Sequence, residues 1–108
     1  MTTTPKVLTL VLKHAPYDVM ETGEKKFEYR EPTDWIKKRL YNKDGTERHY
    51  DLIKFTRGYV SQPSFIAEYL GFTIADDSFF KAYSNGLLVD VMQGDFIIQV
   101  GEIISKIE

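Results

Sequence analysis

The 108-residue chain contains no cysteine. That absence excludes a disulfide framework, thiolate ligation of zinc and a catalytic thiol together. Histidine is nearly as scarce: His14 and His49 are the only two, and they form no H-x-x-H arrangement. A metal site would have to gather carboxylates from distant parts of the chain, so no metal and no cofactor is expected, and each histidine reads as a solvated or core-edge residue. No run approaches the ~20 apolar residues of a membrane-spanning helix. The opening MTTTPK has no apolar segment of signal-peptide length, and the expectation is a soluble, cytoplasmic protein with no membrane partner. An excess of one charge is missing too. A formal net charge of −2 argues against a protein that coats nucleic acid through many nonspecific phosphate contacts, but it leaves room for a local basic cleft.

What is present suits one folded domain. The length is enough to bury a single core without staples, and 43% hydrophobic with 14% aromatic residues is not a disordered composition. Residues 1–6 read as a flexible polar tail and residues 7–108 as the domain. VLTLVLK (7–13) is a strand. Pro16, Tyr17, Met20 and Glu21 follow at helical spacing until Gly23 stops them. KKFEYRE (25–31) alternates with period 2, so Phe27 and Tyr29 share one face and Lys26, Glu28 and Arg30 the other, as in a half-buried strand. Thr33 is an N-cap candidate for the helix DWIKKRL, in which Trp35 or Ile36 with Leu40 makes the apolar stripe and Trp35 reads as core.

Beyond it, Asp44-Gly45 signals a turn, and HYDLIKF (49–55) reads as a strand preceded by a hairpin arm. FTRGYVSQPS (55–64) is a loop by composition. SFIAEYLGFTIA (64–75) is a long strand with Gly71 as a bulge or bend, and DDSFFKAYSNG (76–86) offers one irregular turn of helix before the Asn85-Gly86 turn. Two strands, GLLVDVM and DFIIQVGEIISKI, close the chain, with Gly101 as another bend. About six strands, two short helices in the N-terminal half and several mid-strand glycines predict an α+β fold built as a small, strongly bent β-barrel.

The order strand, short helix, Gly-x-Lys-x-x-Glu-x-Arg, helix, barrel strands resembles the ASCH domain family, whose fold looks like the RNA-binding PUA domain. Here the motif is Gly23, Lys25, Glu28 and Arg30, and the similarity extends to KFTRGY (54–59) and FIIQVGEII (96–104). The resemblance implies a PUA-like barrel with a charged cleft between the barrel and the early helices, suited to RNA, a nucleotide or a modified nucleoside. Some small members are amidohydrolases of N4-acetylcytidine, and ribonuclease activity belongs to another. Those amidohydrolases carry threonine where Glu28 stands and use a further glutamate in a late helix. The region after Ala75 offers Asp76 and Asp77 but no clear helix.

Residue by residue, Arg30 is the best ligand candidate, since its planar fork of donors can hold a phosphate or a base edge while Glu28 orients it. The plain alternative is an ion pair between strand neighbours, contributing roughly 0 to 1 kcal/mol when exposed. Lys25 falls by strict alternation on the face of Phe27 and Tyr29; it reaches Glu28 only if the strand starts after it or the turn at Gly23 swings it round. There it would anchor a phosphate or act as a base of lowered pKa. Lys26 has the right parity but reads as solvated. Arg57 and Tyr59 offer charge and a stacking surface, or a turn arginine and a packed tyrosine. Glu68 is a second-tier acid–base candidate. Binding of RNA or a nucleotide or nucleoside is the favoured function. The alternatives are a small hydrolase using Lys25 and Glu28 (a nucleoside amidohydrolase or a ribonuclease) and a protein-interaction domain.

Overall fold

The computed structural model describes residues 4–108. Residues 1–3 of the expected tail lie outside the described residues. Lys6, at the other end of that tail, is tied down: its amide donates to Asp51 Oδ2 at 2.9 Å, and its carbonyl accepts from the Asp51 and Leu52 amides at 2.9 and 3.1 Å. The apolar run behind it becomes β1 (Val7–Leu12), which alternates Leu8, Leu10 and Leu12 into the core. α1 (His14–Glu21) buries Tyr17, Val19 and Met20 and stops where Gly23 takes φ +89°, its amide returning to the Met20 carbonyl at 3.0 Å.

β2 (Phe27–Arg30) leads to α2 (Asp34–Leu40), whose Thr33 cap accepts from the Ile36 amide at 3.3 Å. Ile36 and Leu40 are the residues of α2 that enter the core. Trp35, expected there, is 49% exposed and stacks on Arg39, because a seven-residue helix buries only the positions four apart that face the sheet. β3 (Leu52–Arg57) takes in the first residues of FTRGY, so the loop begins only at Gly58. Ahead of β3 the expected hairpin arm shrinks to a single bridge between Tyr41 and Glu47.

β4 (Ser64–Ile74) and β7 (Phe96–Ile107) are the long strands, and the main sheet runs β1-β3-β4-β7-β2, with β1 and β3 parallel and the other pairs antiparallel. The β4–β7 register slips three times between Ile66 and Phe72, with Gly71 at φ +94° inside the last slip, so the sheet curls as the glycines predicted. It curls into a half-barrel and does not close. β1 and β2 are its two outer edges and do not pair, and the four-residue β2 is too short to extend the curl.

Among the described residues the strands number seven where about six were expected. DDSFFKAY supplies the extra one: it is β5 (Phe79–Ala82), paired with β6 (Leu88–Val91) as a separate hairpin turned by Tyr83 to Gly86. A partner strand downstream overrode a weak local helical signal. The fold is α+β, with both helices in the first half. Among the described residues no helix is long and apolar enough to cross a membrane.

Gly101, read as a bend, lies where the β4–β7 register slips between Ala67↔Ile103 and Tyr69↔Val100. A Cβ there would stand 2.8 Å from Glu68 Cβ on the neighbouring strand. Gly101→Ala is therefore expected to destabilise the fold by about 1–3 kcal/mol through overpacking, measured by urea unfolding. An unchanged midpoint would contradict so close an approach of the two strands.

Candidate functional site

The turn at Gly23 settles the position of Lys25. The Lys25 amide donates to the Val19 carbonyl at 3.3 Å, and the strand begins two residues later at Phe27, so strand alternation does not govern the lysine. Lys25 swings inward and is 2% exposed. Its ammonium donates to the Phe27 carbonyl and to Glu28 Oε1, the latter at 3.0 Å. Arg30 reaches the same carboxylate from the other side, Nε to Glu28 Oε2 at 2.8 Å. Glu28, itself buried, thus has one oxygen on each cation.

The charged face of β2 is the inward one, which period-2 reasoning alone could not orient. The aromatic face is roofed by the β5–β6 hairpin, where Tyr29 meets Phe79 edge-on at 5.9 Å. Burial, and after it the neighbouring Tyr83 hydroxyl, push the Tyr29 phenol well above its ordinary range. The hairpin tip is fastened down. Glu24 accepts from the Ser84 amide at 2.8 Å and from its hydroxyl, and Asn85 Nδ2 donates to the Ala15 carbonyl at 3.0 Å.

Arg30 also crosses the open seam of the half-barrel: Nη2 donates to the Val11 carbonyl of β1 at 2.9 Å. The seam is a cleft of about 800 Å³. One wall is the end of β1 with His14 and Pro16 of α1, the opposite wall is Lys25, Glu28, Tyr29 and Arg30, and Gly58, Tyr59 and Val89 complete it. Two cations against one carboxylate leave this wall net positive. Burial holds the Lys25 ammonium below its ordinary pKa, with Arg30 adding to the effect and Glu28 opposing it. Arg30 Nη1 has no partner among the described residues, and the side chain is 25% exposed, so the guanidinium keeps donors for an anion or a base edge.

The expected site residues divide. Lys25, Glu28 and Arg30 converge, and Tyr59 stands 95% exposed at the cleft. Arg57 does not line it. It makes a two-pronged pair with Asp18 of α1, at 2.9 and 3.1 Å, and those bonds hold the Asp18 carboxyl below the usual range. Glu68 lies on a different depression, where Oε1 accepts from the Glu102 amide at 3.1 Å. Sequence reasoning missed the Val11 carbonyl, His14 and the Glu24 fastening. Each depends on a contact between distant segments: His14 stands against Gly58, whose amide donates to the Leu12 carbonyl at 2.7 Å and holds the loop after β3 beside it.

Among the described residues no three His, Asp or Glu side chains gather where they could hold a metal ion. Comparison with protein-family models, with curated proteins and with solved structures finds no match to this chain.

Proposed function

We propose that the seam cleft binds a nucleotide or modified nucleoside, free or within RNA, and that the chain is an ASCH-like binding module on a PUA-like half-barrel. The reading rests on one observation: Lys25 and Arg30 converge on a single buried carboxylate in the wall of a roughly nucleotide-sized cleft of about 800 Å³. Glu28 holds the guanidinium by Nε and the Val11 carbonyl holds Nη2, leaving Nη1 to meet a phosphate or the acceptor edge of a base. Tyr59 offers an exposed ring for a base to stack on.

Arg30→Lys keeps the charge and removes the fork. Its affinity for cytidine 5′-monophosphate in calorimetric titration is expected to fall about tenfold or more, with a melting temperature close to that of the unaltered chain. Equal affinity in the two proteins would remove Arg30 from the site.

The lowered pKa of Lys25 favours a second reading, a small hydrolase with that lysine as base. Geometry weighs against it. Both Glu28 oxygens are occupied by cations, leaving that carboxylate poorly placed to activate water, and a chain without cysteine has no Cys-His pair. N4-acetylcytidine and single-stranded RNA are expected to survive incubation intact. Turnover that disappears in both Lys25→Ala and Glu28→Gln would replace the binding reading with the hydrolytic one.

A further inference from the structure

At the C-terminal end of α2 the surface carries a separate depression of about 710 Å³, lined by Lys37, Lys38, Tyr41, Asn42, Lys43 and Arg48. Four of these six are cations and none is an acid, in a chain whose acids outnumber its bases 16 to 14. Basic side chains at a helix C-terminus often serve the helix dipole. Two here do so: Arg48 Nη1 donates to the Lys38 carbonyl at 3.1 Å and Arg39 Nη1 to the Trp35 carbonyl at 2.9 Å.

Lys37 and Lys38 also face that dipole from the last turn of α2, and Lys43 follows shortly after it. They are exposed, and among the described residues their ammonium groups take part in no ion pair. Asp44, the acid in the adjoining turn, is taken up locally, its Oδ1 accepting from the Thr46 amide at 3.0 Å and hydroxyl at 2.6 Å. Three like charges are thus gathered with no ion-pair partner among the described residues. On the same helix Trp35 is exposed, and the Arg39 guanidinium lies 3.5 Å from its ring centroid. Cations with spaced reach beside an exposed, guanidinium-backed indole match a charged strand that carries flat rings.

We propose that this α2 surface is a binding site for single-stranded nucleic acid, with Lys37, Lys38 and Lys43 on successive phosphates and a base stacked on Trp35. An acidic peptide would satisfy the lysines but leave the indole without a role, so the polynucleotide is the better fit. The site is distinct from the seam cleft and does not rest on its assignment.

The test is anisotropy of a fluorescein-labelled 12-nucleotide mixed-sequence RNA across a salt series. K37E/K38E/K43E is expected to bind about tenfold or more weakly, and to flatten the slope of log affinity against log salt by about 2, as three lost phosphate contacts on a single strand require. Trp35→Ala is expected to lose about fivefold or more in affinity with the salt slope unchanged. All four residues are exposed, so melting temperatures should hold; if the triple reversal unfolds, K37Q/K38Q/K43Q gives the same reading at smaller amplitude. Cytidine 5′-monophosphate titration separates the two sites, since the lysine variants should leave it unaltered while Arg30→Lys weakens it. Absence of RNA binding at low salt, or an unchanged slope in the lysine variants, overturns the proposal. Tighter binding of a polyglutamate peptide than of RNA overturns the choice of partner.

Discussion

Glu28→Ala is expected to lower the free energy of unfolding by about 3–5 kcal/mol, the range for removing one member of a buried ion pair. Among the described residues the carboxylate is the only acid paired with the Lys25 ammonium, and Lys25 is 2% exposed. Arg30 loses the same partner, but it is a quarter exposed and retains the Val11 carbonyl, so the larger part of the loss falls on Lys25. Chemical denaturation reads the total. The double variant Lys25→Met with Glu28→Leu is expected to regain most of it, because a volume-matched apolar pair needs no counter-charge.

The pH dependence of that loss identifies its source. Burial lowers the folded-state pKa of Lys25 below its unfolded value, so above the folded pKa the unfolded chain binds the extra proton, and stability rises with pH across the window up to the ordinary lysine range. Removing Glu28 takes away the influence that opposes this shift and widens the window downward. The deficit of Glu28→Ala is therefore expected to be greatest near neutral pH and to shrink towards about pH 10. A deficit independent of pH would mean that lost packing, not the stranded ammonium, is responsible.

Phe65→Ala is the second large effect, with an expected loss of about 3–5 kcal/mol. Phe65 is 1% exposed and meets Tyr17 at 5.2 Å and Phe55 at 5.3 Å, so one ring joins α1 to two strands of the sheet. The cavity left behind lies directly under α1. Beyond the fall in urea midpoint, amide exchange in α1 is expected to accelerate more than in α2, whose core residues Ile36 and Leu40 are on a separate helix. Equal acceleration in both helices would show that Phe65 supports the fold as a whole and has no particular hold on the cleft wall that α1 supplies.

Where local pattern decides structure, the sequence was readable. Gly23, Thr33, Gly71 and the Asn85-Gly86 turn all do what their backbone chemistry predicts. Local pattern failed where a distant partner decides. β5 is a strand because β6 is there to pair with it, Trp35 is exposed because Ile36 and Leu40 take the core-facing stripe, and the barrel stays open because the edge strands β1 and β2 do not pair. The candidate site followed the same division. Lys25, Glu28 and Arg30 are within eight residues of Gly23 and their convergence could be posed from sequence as a question about one turn. Arg57 and Glu68 could not be placed, since Asp18 and Glu102 claim them across the fold.

The half-barrel's open seam has a bearing on self-association. VLTLVL is apolar, rich in β-branched and aliphatic residues and free of charge, and as an outer strand paired on one side only it is the kind of template on which a second chain can add a strand. Arg30 occupies a backbone acceptor of that strand at Val11 and sets a charge at its margin, which is how natural sheets guard an exposed edge. The guanidinium proposed for ligand capture thus also guards this strand against edge-to-edge addition.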